Sequence, residues 1–278
     1  MKSQKPLSEN LGKCWKNYTH LVHRSREKLS PKNIHQLRIA TQRLEAVLSL
    51  VHSLKDVKYE NQITDLLKKV RKSLGPLRDS QVESPLLNRI VNEKSKDKES
   101  KKLVKFFRHD KQGAEKKAHR ALLNVHLKQE KSILDKLLKK MKNVEVAKNK
   151  KEIKNQLERK IKSSVNKFNL ILNKIDPVQM KDIHSFRIFA KKLRYQGECL
   201  ASLEKKSRFS LKELKNVQSI TGRIQNDTVL LKKLTQFGLG GKKNGDLNLR
   251  EKYTKIQRHR DKLIKNNFGQ LSNLKWLN

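Results

Sequence analysis

His35 and His184 are each followed three residues later by an arginine, Arg38 and Arg187. On a helix that spacing puts both side chains on one face. Acid–base or nucleophilic chemistry would need a carboxylate at helical spacing to orient each ring. None stands there: positions 31, 32, 38 and 39 hold Pro, Lys, Arg and Ile, and positions 180, 181, 187 and 188 hold Met, Lys, Arg and Ile. Asp182 is close to His184 in sequence alone. The residue types suit recognition of phosphate oxygens instead. Arginine brings a planar donor fork, lysine a point charge, and histidine a neutral donor or, beside phosphate, a stabilised cation.

The helices that must carry these residues separate packing from charge. At about 100° per residue, His184, Arg187, Lys191 and Arg194 fall on one face, opposite an apolar stripe of Phe186, Phe189, Leu193 and Leu200. In the first half, Leu37, Ala40, Leu44, Val47, Leu48 and Val51 make the apolar stripe, and His35, Arg38, Gln42 and Glu45 make the polar one. Two basic positions are missing there, and Arg43, about 80° round from His35, offers partial compensation.

A charged helix face is ordinarily a solvated face, but here the pattern is repeated. Ile34 to Leu44 returns as Ile183 to Leu193, an offset of 149 residues, with His, Arg and Leu in register. Downstream, Gly75-Pro76-Leu77-Arg78-Asp79 is echoed by Gly222-Arg223-Ile224-Gln225-Asn226, an offset of 147. Two echoes in the same order indicate a duplicated unit and predict two like helical bundles facing each other across a pseudo-two-fold axis. Arg78 and Arg223 are expected to open the helix after each glycine turn, where free N–H groups favour anions, and are secondary binding candidates. Asp79 is expected to cap that helix, the alternative being an intramolecular partner that fixes an arginine.

Composition points the same way. The chain has 278 residues, a formal charge of +40, 35% hydrophobic and 5% aromatic residues. Leu, Ile, Val and Phe together exceed the roughly 20% below which chains stay disordered, so a core is expected, built from thin amphipathic stripes. Self-repulsion of this size calls for a polyanionic partner rather than a neutral metabolite. Five prolines and ten glycines punctuate long helices. These are expected near 8–29, 32–54, 59–74, 77–93, 101–108, 115–142, 151–175, 179–203, 211–221, 224–237 and 249–274, with exposed connections at 94–102 and 238–245. Cys14 and Cys199 have no metal-ligand or disulfide pattern around them, and no run reaches the roughly 18 apolar residues of a membrane span. A cytoplasmic location is expected.

Together, Ile34 to Leu44, Ile183 to Arg194, Leu74 to Asp79 and Gly222 to Asn226 resemble the motifs of the conserved histidine α-helical domain, the CHAD family. The resemblance covers nearly the whole chain. It implies an all-α fold of two up-and-down four-helix bundles in a single domain over 1–278, the first repeat at about 8–142 and the second at about 151–278. It also implies a basic groove or pore that binds inorganic polyphosphate, and association with polyphosphate granules. Carried over by position, the binding residues are His35, Arg38 and Arg43, then His184, Arg187, Lys191, Lys192 and Arg194. Gln42 and Glu45 stand where the family is usually basic, so the first half is expected to grip less tightly. The fused triphosphate-tunnel domain frequent in the family is not expected here.

Phosphoryl transfer would require a phosphate-cradling loop or clustered carboxylates holding metals. The sequence has no Gly-x-x-x-x-Gly-Lys-Ser/Thr, and its acids are scattered among lysines, so a non-catalytic binder with no cofactor is expected. The alternative is a duplex DNA or tRNA binder, since phosphate contacts alone supply such affinity. Scarce aromatics argue against single-strand stacking platforms. A basic coat on acidic lipid is a further rival, for which Trp15 and Trp276 are the candidate anchors, although each is expected instead to cover the end of a bundle.

Overall fold

The computed structural model describes residues 6–54, 58–91, 97–176, 179–204, 211–239 and 247–272. Among them are ten helices and no strand. They are α1 (Leu7–Glu27), α2 (Pro31–Leu54), α3 (Lys58–Ser73), α4 (Gly75–Ile90), α5 (Lys98–Leu123), α6 (Leu127–Ala147), α7 (Lys150–Lys174), α8 (Met180–Glu204), α9 (Leu211–Gln236) and α10 (Leu247–Ser272). None is long and apolar enough to cross a membrane.

In the first half, α1, α2, α3 and α6 close a four-helix ring, with α4 and α5 packed alongside. In the second half, α7, α8, α9 and α10 close another. The halves meet where α2 packs on α7 and α8 and where α4 packs on α9. The predicted stripes face inward: Leu37, Leu44 and Leu48 of α2 share one core with Phe186 and Leu193 of α8. There the Phe168 ring of α7 stacks on Phe186 with centroids 5.0 Å apart. A smaller core of Leu87, Ile90, Leu103, Phe107, Leu230 and Leu234 joins α4, α5 and α9. Beside it the Lys233 ammonium of α9 lies 2.5 Å from both Glu83 and Asp110 and 5.0 Å from the Phe107 ring centroid.

Several boundaries differ from the sequence expectation. Residues 98–102 are the first turn of α5, capped by Asp97, whose carboxylate accepts from the Ser100 N–H. That helix runs through Gly113, because Leu103, Phe107, Ala114, Ala118 and Leu122 keep the buried stripe going and an interior glycine costs only about 1 kcal/mol. The break falls instead at Asn124 to His126. α2 opens one residue earlier, at Pro31, a position where proline's missing N–H has no partner to lose. In the second half the expected glycine turn is absent, and α9 is continuous through Gly222. Of the expected connection at 238–245, Gly238 adopts a left-handed φ of 103° to close the end of α9, and 240–245 lie outside the described residues. Trp15 is buried within α1 in the main core, and Trp276 also lies outside the described residues.

Candidate anion-binding cleft

The repeated helices α2 and α8 are in contact, and the gap above them, closed by α3, is a cleft of about 430 Å³. The Gln196 amide of α8 donates to the Ser49 hydroxyl of α2 at 2.7 Å, fastening the two helices at one end of it. Five of the sequence-predicted residues line this cleft: Arg38, His184, Arg187, Lys191 and Lys192. Three further cations come from α3, namely Lys68, Arg71 and Lys72. Seven lysines and arginines thus face two carboxylates, Glu45 and Glu60.

Each motif arginine rests on the glycine of the second motif in its own half. A β-carbon at Gly75 would lie 3.6 Å from Arg38 Nη1, and one at Gly222 would lie 3.8 Å from Arg187 Nε and Nη2. The two sequence echoes are therefore parts of one arrangement, in which a guanidinium lies along helix backbone that carries no side chain. In the first half the arrangement includes a hydrogen bond, Arg38 Nη1 donating to the Arg71 carbonyl at 2.6 Å. α3 ends at Ser73, and the last carbonyls of a helix have no intrahelical partner, so a side chain can cap them. The Arg187 Nε–H is buried with no acceptor.

Lys191 sits among these arginines. Burial, then the charges of Arg187, Arg38, Arg194 and Arg71, push its pKa down from 10.5 to about 7. Arg38 and Arg187 are likewise shifted down by burial, each partly offset by Asp79. Asp79 is in the second turn of α4, not at its cap, and acts as a charge partner of the arginines rather than the helix cap expected from sequence. The His184 Nδ1 lies 3.0 Å from Gln225 Oε1, so the ring is oriented by an amide, not by a carboxylate.

The remaining predicted residues lie outside the cleft lining. His35 is exposed, and burial and the charges of Arg78, Lys191 and Arg38 lower its pKa, so it adjoins the same cationic cluster. Arg78 is half-buried beside it, with Nη1 3.5 Å from the Pro31 carbonyl. Arg43 does not compensate for Gln42 and Glu45. Its guanidinium lies 3.3 Å from Glu198 and 5.7 Å from the Tyr195 ring centroid. Arg194 is engaged in the same way, 2.8 Å from Glu198 and 4.6 Å from that ring. Arg223 is exposed inside the continuous α9, so the expected helix N-terminus beneath it does not exist.

Sequence reasoning missed the α3 wall. Its signal was present, since Lys68, Arg71 and Lys72 stand at i, i+3 and i+4 and share one helix face. What hid it was the absence of a second-half echo. Among the described residues no group of His, Cys, Asp and Glu side chains is placed to hold a metal ion, and both cysteines are free thiols.

Solved structures share this fold. The CHAD domain from the plant Ricinus communis superposes with a TM-score of 0.62 at 20% identity, covering 96% of this chain and 88% of that one. PptA from Streptomyces chartreusis superposes with a TM-score of 0.66 at 14% identity, covering 95% of this chain and 97% of that one. No curated protein sequence matches the chain. The family model for the CHAD domain matches residues 7–235, which takes in both His–Arg helices and both glycine motifs, and the chain belongs to the CHAD domain family.

Proposed function

We propose that the cleft between α2, α3 and α8 binds inorganic polyphosphate without turning it over. The observation that carries the reading is the convergence of seven lysines and arginines from α2, α3 and α8 on one cleft, with Lys191 partly buried among them. Like charges gathered at this density oppose folding, and an anion in the cleft relieves them. Arg187 lines the cleft with a guanidinium whose buried Nε–H has no partner, and a charge-assisted bond from this side chain to a phosphate is stronger in partly buried surroundings than at the surface. Membership of the CHAD family supports polyphosphate as the anion. A linear polymer with no bases asks for distributed cations and no stacking platform, and the single aromatic ring on the cleft wall, Tyr195, is covered by Arg43 and Arg194. The non-catalytic reading follows from His184, whose ring is held by an amide that cannot tune it as a general base.

The test is competition at matched phosphate concentration among polyphosphates of defined length, duplex DNA, tRNA and heparin across a salt series. Polyphosphate is expected to saturate one site and to displace the others. Equal affinity for all four would mean that the net charge, not the cleft, does the binding.

A further inference from the structure

We infer that Glu45 is a built-in competitor for the ligand of this cleft, bonded to Arg71 so that an entering phosphate must take the guanidinium from it. The inference rests on the polyanion reading above and adds to it a residue that sets where along the cleft the anion is gripped.

The side chains of Glu45, on α2, and Arg71, on α3, form an ion pair at the cleft wall, 18% and 24% exposed. Arg71 is fixed at both ends, since its carbonyl accepts from Arg38 and its guanidinium donates to Glu45 Oε2. The carboxylate is only half satisfied. Its Oε1 is buried with no hydrogen-bond partner, whereas a phosphate presents several oxygens to the same guanidinium. Glu45 also acts across the cleft, where its charge partly offsets the burial that lowers the Lys192 pKa. In the 149-residue register, position 45 corresponds to 194, so the first half places an acid where the second places Arg194. The two walls are therefore unequal. On the α8 side Arg187 and Lys191 face the opening without an acid bonded to them in the cleft, whereas on the α3 side Arg71 is already engaged. A polyanion entering the native cleft is gripped chiefly through α8.

The experiment is a double-mutant cycle on Glu45 and Arg71, read as polyphosphate affinity by calorimetry on the full chain. Glu45→Gln keeps the shape and one acceptor for Arg71 but removes the charge. It is expected to tighten binding on the order of tenfold, the effect of one charge about 10 Å away at a surface-like dielectric. Arg71→Ala is expected to cost on the order of tenfold in the native background, where it removes one charge and leaves Glu45 unpaired, and distinctly more in the Glu45→Gln background, where it also removes a guanidinium free to bond the phosphate. If Glu45→Gln lowers the thermal midpoint enough to blur the comparison, Glu45→Ser replaces it with the same expected sign. Saturable binding by the native chain with unchanged or weaker binding by both Glu45 variants would overturn the competitor role and leave the functional reading standing. No saturable binding by the native chain would overturn both.

Discussion

Lys191 makes the site's protonation state part of its binding equilibrium. Free, the residue titrates near pH 7, because burial and Arg187, Arg38, Arg194 and Arg71 all oppose its charge. A bound polyanion stabilises the ammonium and moves the pKa back toward 10.5. Below about pH 6 the residue is protonated in both states and no proton moves. Between about pH 8 and 9.5 the free form is neutral and the bound form charged, so binding takes up close to one proton and affinity falls as pH rises. Titrations in buffers of different ionisation enthalpy should show that uptake at pH 8, and Lys191→Arg should abolish it while retaining binding. At the same scale, Arg187→Ala is expected to weaken polyphosphate binding by about tenfold or more, because it removes a partly buried guanidinium that lines the cleft. Lys131→Ala and Lys255→Ala, at exposed surface pairs, should each change it by less than about twofold. Equal effects of all three in an affinity titration would deny the cleft its special role.

At the level of helices, the echo of His-x-x-Arg and glycine motifs was legible in the sequence, but what it meant was not. Each glycine read as a turn, and only the α3–α4 junction is one, because only there does proline follow the glycine. Gly222 lies within α9, where its lack of a side chain leaves room for Arg187. Since a β-carbon there would sit at ordinary contact distance, Gly222→Ala is expected to raise stability by up to about 1 kcal/mol through helix propensity and to leave binding unchanged, whereas Gly222→Leu should displace Arg187 and weaken binding. Urea unfolding and calorimetry separate the two effects. The helices of the two halves are also tied by Lys233, whose partner Glu83 is only 3% exposed. Lys233→Ala leaves that carboxylate buried and unpaired, and about 3 kcal/mol of stability should be lost on denaturant unfolding. No sequence pattern marked Lys233 or Glu83, since a single lysine among so many is distinguished solely by what surrounds it.

For the molecule as a whole, the formal charge of +40 far exceeds what the seven cleft cations account for. Most of it is exterior, and self-repulsion there is screened by salt. The thermal midpoint should therefore rise with added sodium chloride, and rise further with polyphosphate at concentrations too low to alter ionic strength, because a ligand bound to the native state adds stability by mass action. A polyphosphate effect no larger than that of salt at equal ionic strength would indicate screening alone. The amino-acid order by itself determined the all-α character, the inward stripes and the recurrence of the His–Arg helix, because helical periodicity and offset are properties of spacing along the chain. The tertiary structure decided which cations converge. It brought Arg71 of α3 beside Lys191 of α8, turned Arg43 and Arg194 onto Tyr195 and Glu198, and set Glu45 against Arg71. Those partnerships depend on distances between helices, and spacing along one helix carries no information about which neighbour will stand across from it.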